Sequence, residues 1–148
     1  MRILLDTNIL VHAYNVASPH QKVASSILER AMEGEIEVCI AQQVLFEFFA
    51  VITNSKRVEL PLPLDKAADL CLDLWECSEI EKIAITEYVP REVFSLVKSK
   101  KLSGSSVFDC ILAVSAKVNK IGVIYTENVR DFEKYEFVKV INPFTSEH

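Results

Sequence analysis

The chain has 148 residues, half of them hydrophobic and a quarter charged, which is enough for one domain with a substantial core and too few for two. Sixteen Lys and Arg stand against 21 Asp and Glu, a formal net charge of −5, which excludes a protein that coats nucleic acid by bulk charge. With only 3 Gly, 5 Pro and a mean hydropathy of +0.21, the composition also excludes a disordered chain or a flexible linker.

In chain order, residues 2–5 form a short apolar run that ends at Asp6 and reads as a fully buried strand. Asp6 interrupts this run too early for a signal peptide. Ser18 is expected to cap a helix over residues 19–33, with Pro19 at its first position and Gly34 as its stop. Residues 37–40 read as a strand and residues 42–54 as a helix. The Leu60-Pro61-Leu62-Pro63 segment is an extended connector, because proline disfavours helix in the residue before it. A helix over 64–75, a strand over 82–85 and a polar-faced helix over 90–100 follow. After the loop Ser103-Gly104-Ser105-Ser106 comes an apolar helix over 107–119, then strands over 123–126 and 137–141. Short apolar strands alternating with helices predict an α/β fold, a parallel sheet covered by helices on both faces, in a single unit over 1–148.

The longest apolar stretch, residues 44–52, carries Glu47 and is half of the ~20 residues a membrane span needs. A soluble, cytoplasmic protein without membrane contact is therefore expected. Cys39, Cys71, Cys77 and Cys110 form no C-x-x-C pair and are expected to be buried small hydrophobes rather than zinc ligands or disulfides.

Four acids occupy unusual places. In open parallel sheets, ligands bind beyond the C-terminal ends of the strands. Asp6 stands at one such end, and the polar segment Thr126-Glu127-Asn128-Val129-Arg130-Asp131 stands at another. On a helix, Glu47 has Gln43, Val44, Ala50 and Val51 as neighbours, three of them apolar, so it lies toward the buried side. Either an ion pair with Lys56 or Arg57, or a bound cation, would offset that cost. Asp109 shares a helix face with Leu112, Ala113 and Ala116, and reads either as a dipole-stabilising acid or as a ligand. Gathered carboxylates repel one another unless a cation neutralises them, and an all-oxygen set suits Mg²⁺ or Mn²⁺ rather than zinc. Such ions activate water and clamp the oxygens of a phosphoryl displacement. No Ser-His-Asp or Cys-His arrangement competes. His12 reads as a helix-surface or supporting residue rather than a base, and His20 and His148 as solvated.

At these residues the sequence resembles the PIN-domain family, and within it the VapC-like ribonuclease toxins of toxin–antitoxin pairs. The segment Leu4-Leu5-Asp6-Thr7-Asn8-Ile9-Leu10 is similar to the family's first motif and Gln43-Val44-Leu45-Phe46-Glu47-Phe48 to its second. Phe108-Asp109-Cys110-Ile111-Leu112-Ala113 resembles the third, and Thr126-Glu127-Asn128-Val129-Arg130-Asp131-Phe132 the fourth. The resemblance implies a three-layer α/β/α fold and Mg²⁺- or Mn²⁺-dependent cleavage of RNA. Asp6, Glu47, Asp109 and Asp131 would be catalytic metal ligands, with Thr7, Asn8 and Thr126 orienting the acids. Many members carry Asp where this chain has Asn128, so the fourth acidic role passes to Asp131, with Asn128 as an alternative ligand or substrate contact. Lys98, Lys100, Lys101 and Arg130 are candidate contacts to RNA phosphates. The resemblance further implies a homodimer and an antitoxin partner.

A dehalogenase-type phosphatase needs a second acid where Asn8 stands, and a dinucleotide fold needs a glycine-rich turn after the first strand that this chain lacks. A PIN-type module that binds RNA or protein without cutting, and a stand-alone RNA-processing nuclease without antitoxin, stay open.

Overall fold

The computed structural model describes residues 1–145. Strand β1 (Arg2–Leu5) holds the middle of a five-stranded sheet, and its Ile3, Leu4 and Leu5 are buried. Its neighbours are β2 (Glu37–Ala41) on one side and β4 (Val123–Tyr125) on the other. Strands β3 (Glu81–Ile83) and β5 (Lys139–Ile141) form the edges, so the order is β3-β2-β1-β4-β5 with every pairing parallel. A run such as Val38-Cys39-Ile40-Ala41, buried throughout, suits a strand covered on both faces.

The helices are α1 (Thr7–Tyr14), α2 (Gln21–Met32), α3 (Gln42–Ile52), α4 (Leu64–Glu76), α5 (Tyr88–Lys100) and α6 (Ser106–Val118), with a 3₁₀ turn over Val129–Phe132. Helix α1 packs on α2 and α3, α4 on α3, and α5 on α6. With the right-handed crossovers that parallel strands require, this strand order assigns the two groups to opposite faces, three layers in all. The chain steps outward from β1 to β2 and β3, then returns to the opposite flank of β1 as β4. The order of connection therefore reverses between β1 and β4, and at such a reversal the ends of neighbouring strands open into a crevice.

Several elements differ from expectation. Residues 7–14, where no element is predicted, form α1. At eight residues it is too short to persist alone, and packing of the buried Ile9, Leu10 and Ala13 holds it. Helix α2 starts at Gln21 rather than at residue 19. The Ser18 hydroxyl accepts from the His20 N–H at 3.0 Å and closes a turn ahead of the helix. Helix α5 starts two residues before Pro90, which the first turn tolerates because the missing N–H has no partner there. Strand β3 ends at Ile83, leaving Ile85 exposed, and β5 is shorter than predicted. Cys39 and Cys110 are buried, Cys71 and Cys77 half-buried, and all four are free thiols. Among the described residues no helix is long and apolar enough to cross a membrane. His148 lies outside the described residues.

Candidate active site

The crevice between β1 and β4 is built around Asp6. Its backbone N–H donates to the carbonyl of Tyr125 at 3.0 Å, which extends the pairing of the two strands by one bond. Its side chain then caps α1, Oδ1 accepting from the N–H of Thr7 at 2.8 Å. Oδ2 accepts from the Thr126 hydroxyl at 2.7 Å and from the Asn8 amide at 3.3 Å.

Thr126 follows β4 and is fully buried, so each polar capacity of its hydroxyl needs a partner. It donates to Asp6 and accepts from the Asn8 amide at 3.1 Å and from the N–H of Asn128 at 3.0 Å. The other end of Asn8 is equally engaged, its Oδ1 accepting from the N–H of Glu127 at 3.0 Å. Asp6, Asn8 and Thr126 thus lock one another.

Glu47 enters from α3. Oε2 accepts from the Thr7 hydroxyl at 2.9 Å and Oε1 from the Gln43 amide at 2.7 Å. Neither Lys56 nor Arg57 pairs with it among the described residues, so the expected ion-pair alternative gives way to two neutral donors. Asp109 comes from the first turn of α6. Burial pushes its carboxyl up to about 6, and the charges of Asp6, Asp131 and Glu47 add to this against the opposing pull of Lys134. Asp6 is also raised, by burial first and then by Glu47, while its bonds from Thr126, Thr7 and Asn8 work the other way.

Asp6, Glu47, Asp109, Thr7, Asn8 and Asn128 line one open cleft of about 980 Å³. Phe46, Phe108, Ile85 and Arg57 are among the other residues of its walls. Asp131 is exposed on the 3₁₀ turn and does not line the cleft. Its N–H closes that turn by donating to the carbonyl of Asn128 at 3.1 Å, and only its charge reaches Asp109. Lys98, Lys100, Lys101 and Arg130 are exposed and likewise lie outside the lining, where Arg57 supplies the cation. Gln43, named in the sequence only as a helix neighbour of Glu47, is a supporting residue, its amide donating across that spacing of four.

The cleft offers oxygen donors only. Among the described residues no three His, Cys, Asp or Glu side chains converge closely enough to cage an ion unaided. Magnesium nonetheless keeps several of its waters and commonly takes only one or two protein carboxylates. A polar cleft with separated acids fits an ion held partly through water.

Comparison with known proteins gives a consistent picture. The family model described as "PIN domain" matches residues 3–138. The chain is 29% identical over 146 residues to "Ribonuclease VapC24" of Mycobacterium tuberculosis, covering 97% of each chain. It is 26% identical over 143 residues to "Ribonuclease VapC48" of the same organism, covering 95% of this chain and 96% of that one. Among solved structures, it matches VapBC2 from Rickettsia felis bound to a promoter DNA fragment, with a TM-score of 0.66, 22% identity and coverage of 96% and 98%. It also matches the Mycobacterium tuberculosis toxin VapC20, described as cleaving the sarcin-ricin loop, with a TM-score of 0.68, 16% identity and coverage of 93% and 98%. These last two likenesses carry the fold. The family model spans both the strand that delivers Asp6 and the segment that follows β4, and this chain belongs to the PIN-domain family.

Proposed function

We propose that this chain is a ribonuclease of the VapC kind, the toxin of a toxin–antitoxin pair, acting as one nuclease domain over residues 1–148 and dependent on Mg²⁺ or Mn²⁺. One observation carries the reading: Asp6, Glu47 and Asp109, from three separate elements, face one cleft, and no lysine or arginine pairs with any of them among the described residues. A folded chain that tolerates this repulsion is arranged for a cation. The names of the curated relatives point to RNA as the substrate.

When bound, the divalent ion supplies positive charge against the phosphate and makes water more acidic. Asp6, Glu47 and Asp109 would hold it, with the Asn128 amide oxygen as a neutral addition and Asp131 acting through its charge. Thr126, Asn8 and the Thr7 N–H fix the rotamer of Asp6, and Thr7 and Gln43 fix that of Glu47. Hydrolysis adds water across one P–O bond, leaving a phosphate on one fragment and a hydroxyl on the other. Arg57 at the cleft wall, with Lys98, Lys100, Lys101 and Arg130 farther out, would meet flanking phosphates. The partners proposed are an antitoxin, as in the VapBC complexes, and a second copy of this chain, in the cytoplasm.

The test is cleavage of purified RNA with Mn²⁺ or Mg²⁺, with EDTA, and with Asp6→Ala. Cleavage that EDTA and the substitution both abolish is expected, and cleavage that survives either overturns the reading. The absence of a ready-made three-acid cage among the described residues favours one alternative, a PIN-type module that binds RNA or protein without cutting. RNA retained on the protein but left intact in every metal condition would establish that alternative.

A further inference from the structure

We infer that His12 and Glu127 form a clamp that holds the segment after β4 against α1, which makes His12 a positioning residue for the proposed cleavage; this rests on the ribonuclease reading. Asn8 and His12 are four apart on α1 and so share a face. Both meet the same residue. The Asn8 Oδ1 accepts from the Glu127 backbone N–H at 3.0 Å, and the His12 Nε2 lies 2.8 Å from the Glu127 Oε2. One loop residue is therefore gripped at its backbone and at its side chain by successive turns of one helix.

The residues on either side of Glu127 belong to the cleft. Thr126 donates to Asp6, and Asn128 lines the cavity while its N–H returns to the Thr126 hydroxyl. A shift at Glu127 moves both. His12 and Glu127 themselves do not line the cleft, so they act only through these neighbours.

His12 is in turn held from behind. Its Nδ1 lies 2.6 Å from the Ser18 hydroxyl, which already accepts from the His20 N–H at 3.0 Å. The Glu127 carboxylate can only accept, so Nε2–H donates to it, and in the neutral tautomer Nδ1 then accepts the Ser18 proton. The His20 ring stacks on Phe144 with centroids 4.5 Å apart, and its Nε2 stands 3.9 Å from the other Glu127 oxygen. The His12 side chain is 18% exposed and that of Glu127 38%, so the pair is too open to account for much stability. Its consequence is geometric: it sets where Thr126 and Asn128 sit.

The experiment compares His12→Phe, which keeps an aromatic ring but no donor, with His12→Gln, whose amide can donate to Glu127, and with Glu127→Ala. Amide hydrogen exchange at residues 127 and 128 reads the clamp without any catalysis. Cleavage rate and KM read its effect on function. Faster exchange at both amides in His12→Phe and Glu127→Ala, with His12→Gln near wild type, is expected. In the same two variants kcat should fall about tenfold with KM within about twofold, as for residues that orient metal-site groups, and the double variant should be no worse than either single one. Unchanged exchange in His12→Phe and Glu127→Ala overturns the clamp whether or not the protein cuts RNA. Losses of kcat that multiply in the double variant also overturn it. If His12→Phe is poorly folded by melting, Glu127→Ala alone decides, since it alters an exposed side chain. Absence of metal-dependent cleavage by the wild-type protein would refute the ribonuclease reading and leave the exchange result to stand separately.

Discussion

Asp109 binds its proton more tightly in the folded chain than in the unfolded one, since burial and neighbouring acids raise it from 3.8 to about 6. The folded state then carries more bound protons across that interval, so this group costs stability as pH rises through it. In metal-free protein, Asp109→Asn should therefore raise the melting temperature at pH 7.5, by an amount worth on the order of 1–2 kcal/mol after allowance for solvent screening. The gain should fade as pH drops from about 6 to about 4 and vanish below that, where the carboxyl is protonated in both folded and unfolded chains. A melting-temperature difference that does not vary with pH would contradict this account. Thr126 makes the opposite prediction. Thr126→Val keeps shape but removes the hydroxyl that Asp6, the Asn8 amide and the Asn128 N–H all use, leaving among them only the longer Asn8–Asp6 bond, so it should cost about 1–3 kcal/mol by urea unfolding. At this scale Asp6, Glu47 and Asp109, which share the cleft, were legible because each stands out against an apolar setting, whereas Asp131, picked from a polar segment, lies outside it. Glu127 was not, since a polar residue on a polar stretch offers no contrast and its role depends on where α1 and the segment after β4 meet. Gln43 was visible as a helix neighbour of Glu47, but spacing alone does not aim its amide.

The elements were largely legible from runs of buried residues: β1, β2, α3, α4 and α6 follow the hydrophobic pattern closely. Helix α1 was missed because its cap, Asp6, is also the residue that ends β1, and no glycine or proline marks its stop. Its stability comes from the layer it packs in, which a local reading cannot see. Leu10 is wholly buried in α1, and Leu10→Ala should cost about 2–5 kcal/mol by urea unfolding. Since α1 also carries Thr7, Asn8 and His12, the same substitution should weaken the rise in melting temperature produced by Mn²⁺. A full Mn²⁺ response in this variant would show that α1 packing and the site are independent.

For the whole molecule, the ordering of strands does most to place the site. The reversal between β1 and β4 brings Asp6 within hydrogen-bonding distance of Thr126, 120 positions away. The proposed metal site exists only where these parts have assembled, so Mn²⁺ at a hundredfold excess over its Kd should stabilise the fold by about 2.7 kcal/mol. No change in melting temperature would argue against a metal centre. Phe46 at 69% and Phe108 at 52% stand exposed on the cleft walls, and Phe94 on α5 is 61% exposed. For the proposed homodimer, light scattering on the purified chain should give the mass of two copies; a single-copy mass would contradict it.

The span between Asp6 and Thr126 also orders events in time. As the chain emerges from the ribosome, β1, α1 and α3 can form early, yet the groups that hold Asp6 from the β4 side arrive only with the last quarter of the sequence. Until then Asp6 lacks the Thr126 hydroxyl, and α6 with Asp109 has no β4 to follow it. A protein proposed to cut RNA therefore has Asp6 fully held only after β4 has joined the sheet.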